Sequence, residues 1–430
     1  MLDEKILAVG HYGWWSLAGD WKTHLTMLRK CGVNALRIFG QYSWPQGRGT
    51  HTPFAVLTSM DLVNSLPWNP PLPNEEYRKD RYFYQDGRVW FRHRQLPNVI
   101  LPVYDLSMLS FVYFDFVYDL GKYMAGLDMT LIYEVEDWCS LKHPNPDKYR
   151  HPYHVSPQAH SAITPGGLYG DALFQFMTPY WSKLIQALDA SGVNFYLSIM
   201  NEYDNPWVES SYDYMSWYVK AKNFMVKQYS GVQFIASAMG HFNKFLTLGN
   251  TYWSQHGVGN ADSYGHELWL ADRWGLNLEG VAQLTLLSGD GFSSGTAGPD
   301  FKGRKGISIQ EVPEICRIVN DKGYLGYEAL IRYYGSHADG TYEDFDSLYN
   351  GYEIMTKFSD LLGTYKRPIP KPPAPPPPAP PAPPIEPPAP PELEISEFQK
   401  FLKWLGAVLR WLFGKNSLIQ KFFKKIFKKT

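Results

Sequence analysis

Asn201 and Glu202 stand where an apolar run stops. Residues 195–200, Phe-Tyr-Leu-Ser-Ile-Met, are apolar and β-favouring with neither Pro nor Gly, which predicts a buried strand. The run ends in Asn201, Glu202, Tyr203, Asp204, Asn205 and Pro206, all polar, aromatic or turn-forming. The C-terminal end of a buried barrel strand is where such a fold presents acid–base groups. Hydrolysis of a glycosidic bond needs two carboxyls: one protonates the leaving oxygen, the other attacks the anomeric carbon or activates water. Glu202 is the first of these. For the second, Glu328 leads, because the strand expected over 323–329 would otherwise bury it. Asp290, presented by a Gly-Asp-Gly turn, comes next, with Glu134 and Asp137 behind it. As the acid, Glu202 requires a raised pKa while its partner stays ionised. A carboxyl separation of about 5–5.5 Å gives retention of configuration, and about 6.5–9.5 Å gives inversion.

Such groups need a scaffold, and the chain alternates as a closed parallel barrel should. Strands are expected at 5–10, 34–40, 130–138, 195–200, 232–238, 251–256, 280–287 and 323–329. Helices are expected at 20–30, 111–124, 171–191, 212–229, 308–321 and 342–362. The helix at 20–30 has an apolar side of Leu25, Met27 and Leu28 and a stop at Gly32; that at 308–321 opens on a Ser308/Glu311 capping box. The resulting fold class is α/β, a (β/α)8 TIM barrel with long βα loops. A doubly wound open sheet is the alternative, but no Gly-rich phosphate loop follows the first strand. Arg37 lies inside the second strand, where a charge must be paired, so it is expected to point into the barrel mouth toward a carboxylate. Residues 41–102 form a long excursion rich in Pro, Gly and aromatics, with a hairpin expected at 82–93 turning on Asp86-Gly87. It is read as one wall of a substrate cleft. His143, His151, His154 and His160 cluster in the 141–167 loop, but their spacing matches no metal motif, so neither metal nor cofactor is expected.

Asn201-Glu202 after Leu-Ser-Ile-Met resembles the acid/base motif of clan A glycoside hydrolases, the cellulase-like retaining enzymes built on TIM barrels. The resemblance implies that Asn201 contacts the sugar 2-hydroxyl and that Glu202 is the general acid/base. It implies that Arg37, on the second strand, supports the nucleophile, and that His256, on the sixth, lines the site. Asp137-Trp138 after the third apolar run also looks familial. His11, Trp14, Trp138, Tyr203 and His256 are candidates for positioning and stacking substrate. The resemblance spans residues 5 to about 362. It departs from the clan at one point: the clan's nucleophile sits on strand seven, and Glu328 falls on the eighth expected strand.

Fifteen Trp, 30 Tyr and 24 Phe suit a sugar-stacking cleft and equally suit a core. Three distant cysteines imply no disulfide framework. Residues 366–392 are nearly all Pro and Ala and are read as a polyproline spacer reaching ~75 Å when extended. From residue 393 onward nine Lys/Arg stand against two Glu, about +7, which leaves about −8 on the remainder of a chain whose net charge is −1. Phe398, Phe401, Leu402, Leu405, Val408, Leu409 and Leu412 recur at helical spacing, and a second helix is expected after Gly414, with five lysines around Ile419, Phe422, Phe423, Ile426 and Phe427. The expected organisation is therefore a catalytic barrel at 1–365, a linker at 366–392 and a basic amphipathic tail at 393–430 that binds an anionic membrane surface or a partner protein. Nucleic acid is not an expected partner. No run near the N-terminus reads as a signal peptide, so synthesis in the cytoplasm is expected, with membrane association, or release or virion attachment for a phage product. The expected activity is cleavage of a β-linked poly- or oligosaccharide by a retaining two-carboxylate glycosidase. The alternative is a non-catalytic carbohydrate-binding barrel carrying the same tail.

Overall fold

The computed structural model describes residues 5–11, 21–39, 52–66, 79–92, 100–135, 156–158, 171–200, 214–238, 252–257, 285–293, 307–332 and 350–364. The chain divides into two compact units, Met1–Pro370 and Lys371–Thr430, and all described residues belong to the first. The linker and tail expected at 366–392 and 393–430 lie outside the described residues.

Eight parallel strands form one sheet: β1 (Ile6–His11), β2 (Ala35–Phe39), β8 (Thr130–Glu134), β9 (Phe195–Ser198), β10 (Gln233–Ala238), β11 (Tyr252–Gly257), β12 (Thr285–Ser293) and β13 (Gly326–Arg332). Each pairs with the next in that order, and β1 pairs with both β2 and β13, which closes the sheet. Among the described residues a helix follows six of these strands: α1 (Trp21–Lys30) after β1, α3 (Phe111–Gly126) after β2, α4 (Asp171–Ser191) after β8, α5 (Tyr214–Gln228) after β9, α6 (Val312–Asp321) after β12 and α7 (Gly351–Leu362) after β13.

Strand alternation sorts the side chains into two cores. Leu7, Val9, Leu36, Ile38, Leu131, Leu197 and Tyr327 face the helices and pack with Leu25, Leu28, Val117, Leu184, Ile315 and Phe358. Ile6, Ala8, Ala35, Ile132, Tyr196, Ile235 and Leu286 form a separate interior cluster, with Tyr252 edge-on to Tyr196 at 5.1 Å. β1, β2, β8, β9 and β10 are thus covered on both faces, which is why these segments read as largely apolar runs. At the base, Asn34 accepts from the Leu7 amide at 2.8 Å and donates to the Lys5 carbonyl at 2.9 Å, while its own carbonyl accepts from the Thr130 amide. It ties the starts of three strands together.

The excursion between β2 and α3 contains β3 (Phe54–Val56), α2 (Asp61–Ser65), a 3-10 turn at Lys79–Arg81, β4 (Tyr82–Gln85), β5 (Arg88–Arg92), β6 (Ile100–Pro102) and β7 (Tyr104–Leu109). β3 pairs with β7, and β4, β5 and β6 form a three-stranded antiparallel sheet. The β4–β5 turn has Asp86 at φ 50° and Gly87 at φ 79°, the double positive φ that an Asp-Gly hairpin turn supplies.

Several boundaries differ from the sequence expectation, those around the last two strands most. β12 runs over Thr285–Ser293 and β13 over Gly326–Arg332, each displaced toward the C-terminus relative to 280–287 and 323–329. Gly323, read as the start of the last strand, instead stops α6 in the left-handed region at φ 68°, and the Tyr324 amide bonds back to the Val319 carbonyl. Helix α6 begins at Val312 rather than 308. The Glu311 carboxylate does accept from the Ser308 amide and hydroxyl at 2.8 and 2.7 Å, but 308–311 is a turn before the helix, and Pro313 lies in its first turn.

Candidate functional site

Two residues beyond the interior apolar cluster, toward the C-terminal ends of the strands, the barrel lining turns polar. Arg37 follows Ala35 on β2, Glu134 follows Ile132 on β8, Ser198 follows Tyr196 on β9, Ser237 follows Ile235 on β10, and Glu328 follows Gly326 on β13. Inward positions alternate, so this polar layer rests directly on the apolar one.

Arg37 holds the layer together. Its Nη1 donates to both carboxylate oxygens of Glu328, at 3.2 and 3.1 Å. Its Nη2 donates to Glu134 and, at 2.8 Å, to the Ser237 hydroxyl. Ser237 in turn donates to the same Glu134 oxygen at 2.7 Å and lies 3.0 Å from the Ser198 hydroxyl. Arg37 and Glu134 are 1% exposed and Glu328 is 0% exposed. Burial opposes the guanidinium charge, but the fields and hydrogen bonds of Glu134 and Glu328 outweigh it and raise its pKa further above the ordinary arginine range. A buried guanidinium with carboxylates on both sides is held in one place inside the barrel.

Glu328 is on β13, the eighth strand of the ring, and β12 before it is also a barrel strand. The departure from the clan pattern therefore stands. Glu328 also pairs in register with Ala8 and Ser288, well before the end of its strand at Arg332. Asp290 lies on β12, the seventh strand, where the register with β13 shifts between Gly289 and Phe292. Such a bulge re-aims the chain at the rim of a barrel. His256 lies on β11, opposite Ser288. Trp14, Asp137, Trp138, Asn201, Glu202 and Tyr203 lie outside the described residues.

His11 requires a correction. It was expected to position substrate, but it shares the outward parity of Leu7 and Val9 and faces the helical layer. Its Nε2 is 3.2 Å from Nε2 of His24 on α1, and His24 Nδ1 is 2.8 Å from the Tyr352 hydroxyl on α7. Burial pushes the His11 pKa down to about 3; burial and then the neighbouring His11 push His24 well below its ordinary value.

Ser198 and Ser237 were not singled out in the sequence. Their only signal is a small hydroxyl at an inward position of an otherwise apolar strand, in Phe-Tyr-Leu-Ser and Phe-Ile-Ala-Ser.

No protein-family model matches the chain, and no curated protein sequence matches it. Solved structures do resemble it. An endo-β-1,4-mannanase from Thermotoga petrophila superposes with a TM-score of 0.50 at 11% identity, over 84% of this chain and 77% of its own. A glycoside hydrolase family 5 mannosidase from Rhizomucor miehei gives 0.48 at 11% identity, over 84% and 94%. An endo-1,4-β-mannanase from the same fungus gives 0.48 at 12% identity, over 84% and 96%. The resemblance to the clan A enzymes is therefore found at the level of fold.

Proposed function

We propose that this chain is a glycoside hydrolase that cleaves a β-linked poly- or oligosaccharide with retention of configuration, on a complete (β/α)8 barrel. Glu202 serves as general acid/base and Glu328 as the partner carboxylate. The observation that carries this reading is the grip of Arg37 on both oxygens of Glu328, which fixes the orientation of a carboxyl group in the barrel lining. The fold likeness to an endo-β-1,4-mannanase makes β-1,4-mannan the first polysaccharide to test.

In the reaction, Glu202 protonates the departing glycosidic oxygen while the partner carboxylate attacks the anomeric carbon; water then releases the sugar with Glu202 as base. Asn201 contacts the 2-hydroxyl, and Trp14, Asp137, Trp138, Tyr203 and His256 bound the cleft. A second assignment of the nucleophile is favoured by a specific observation: Glu328 is sealed on the eighth strand, whereas Asp290 lies at the bulge of the seventh. Glu202→Gln should lower turnover about 10²–10⁴-fold without unfolding the protein. Glu328→Gln and Asp290→Asn, assayed side by side, then decide the partner by which one abolishes glycosyl-enzyme formation. Full activity in Glu202→Gln would remove Glu202 as the acid/base, whereas glycan binding without turnover in the unaltered protein would leave a sugar-binding barrel.

The division into a barrel at 1–365, a linker at 366–392 and a tail at 393–430 belongs to the same proposal, supported by composition. The tail's Phe- and Trp-bearing apolar stripes and surrounding lysines fit an anionic membrane surface. A peptide of residues 393–430 that ignores vesicles containing anionic lipid would point to a protein partner instead.

A further inference from the structure

The sheet formed by β4, β5 and β6 has two unlike faces. Tyr82, Val89, Phe91 and Leu101 are buried in the core. Alternation places Phe83, Gln85, Arg88, Trp90 and Arg92 on the other face, with Phe83 opposite Trp90 and Gln85 opposite Arg88 in the β4–β5 register. Phe83 and Trp90 are half-buried, and Arg92 is exposed. The Arg92 guanidinium lies over the Phe83 ring at 4.8 Å, and the Arg88 guanidinium over the Trp90 ring at 5.6 Å. Trp90 is further fixed by donating its indole N–H to the Gln85 carbonyl at 3.0 Å.

Among the described residues neither guanidinium has a carboxylate partner or a hydrogen bond; each lies against its ring. A guanidinium over a ring spends its π face on the aromatic and keeps its N–H donors for other partners. Those donors form a fork that matches a planar carboxylate. The two arginines are four residues apart on β5, roughly 13 Å along the strand, with Trp90 midway. The face therefore alternates cation, ring, cation, and the Asp86 carboxylate in the adjoining turn accepts from Gln85 at 3.2 Å.

We propose that this outer face is a second carbohydrate-binding surface, for a polysaccharide that carries carboxylates on its sugars. Arg88 and Arg92 take carboxylates of two uronic acid units, while the Trp90 and Phe83 rings against them hold the two guanidiniums in place. The assignment does not depend on the catalytic reading, because it concerns binding alone and involves none of the proposed catalytic residues. Single-stranded nucleic acid also combines phosphate with flat bases. Residues 1–392 carry about −8, which opposes either polyanion alike, so competition with an oligonucleotide separates the two.

The test is affinity electrophoresis of the full chain through gels containing polygalacturonate, neutral galactomannan or no polymer. Polygalacturonate should retard the protein beyond any effect of galactomannan, and the retardation should fade as salt rises. In the R88Q/R92Q variant the apparent affinity for polygalacturonate should fall about tenfold or more. R88K/R92K, which keeps charge but loses the planar fork, should fall between the two. Circular dichroism of each variant reports whether the sheet survives; if the Gln pair perturbs it, the Lys pair and a Trp90→Phe variant carry the comparison. Equal mobility of wild type in all three gels overturns the proposal. So does retardation that both double variants preserve. Binding of a thymidine oligonucleotide more tightly than polygalacturonate transfers the surface to nucleic acid and overturns it as well.

Discussion

Arg37 shows how far one residue can be read before its surroundings are known. A charge within an apolar strand must be compensated, and this much follows from Ala-Leu-Arg-Ile-Phe alone. The identity of the compensating groups does not, because Glu134 and Glu328 lie 97 and 291 residues away and are brought together only by closure of the sheet. Ser237 is illegible for a related reason: a serine in a strand carries no mark of whether its hydroxyl will meet a guanidinium. The cluster makes a prediction whose sign is unusual. Arg37→Met keeps volume but leaves two buried carboxylates facing each other, so it should reduce unfolding stability by about 3–5 kcal/mol in urea titration. Adding Glu134→Gln and Glu328→Gln to that variant removes the stranded charges and should recover part of the loss. If the triple variant is less stable than Arg37→Met alone, electrostatics is not what holds this layer. Arg37→Lys should also be poorly tolerated, since one ammonium cannot serve Glu328 on one side and Glu134 with Ser237 on the other.

At the scale of elements, period-2 alternation made the strands legible, and it also shows why His11 was misplaced. Its position at the end of an apolar strand looked like the rim of a cleft, but counting from Leu7 and Val9 puts it on the helix side. Element ends were less legible, because one residue type serves two purposes. Gly323 is equally good as a helix stop and as a loop before a strand, and the positive φ that decides between them is a property of the folded chain. Gly326 is different: its position is dictated by packing. A Cβ there would stand 1.8 Å from the Ile6 carbonyl oxygen, at the seam where β13 meets β1. Backbone on both sides of that seam is hydrogen-bonded and cannot yield as a flexible side chain would. Gly326→Ala should therefore cost about 1–3 kcal/mol and broaden amide exchange protection losses across β1 and β13. A substitution tolerated at full stability, with exchange unchanged, would mean the seam is looser than its register implies. Gly32 should behave alike, since it combines φ 86° with the Ser359 hydroxyl 1.8 Å from an added Cβ, where α1 meets α7.

For the barrel as a whole, the contact between its first and last described elements is also sensitive to acid. His11 on β1, His24 on α1 and Tyr352 on α7 form a buried polar chain that joins the beginning of the barrel to its final described helix. Both imidazoles are neutral in the folded protein, because burial disfavours the charged ring and a second charge beside the first disfavours it more. In the unfolded chain each would take up a proton near its ordinary value of about 6.5. Between that value and the folded value of about 3 for His11, the unfolded state binds more protons than the folded one, so acidification favours unfolding. The stabilisation is fully present above about pH 6.5 and is lost progressively below it, at up to about 1.4 kcal/mol per pH unit for each histidine. Carboxylates contribute mainly near and below about pH 4, which leaves the interval between about pH 6.5 and 5 to histidine. The thermal midpoint should fall steadily across that interval. In a His11→Leu, His24→Leu variant the slope should flatten even where the midpoint itself is lower, because neither group remains to titrate. An unaltered slope in that variant would assign the acid response to other histidines and leave the buried pair with a packing role only.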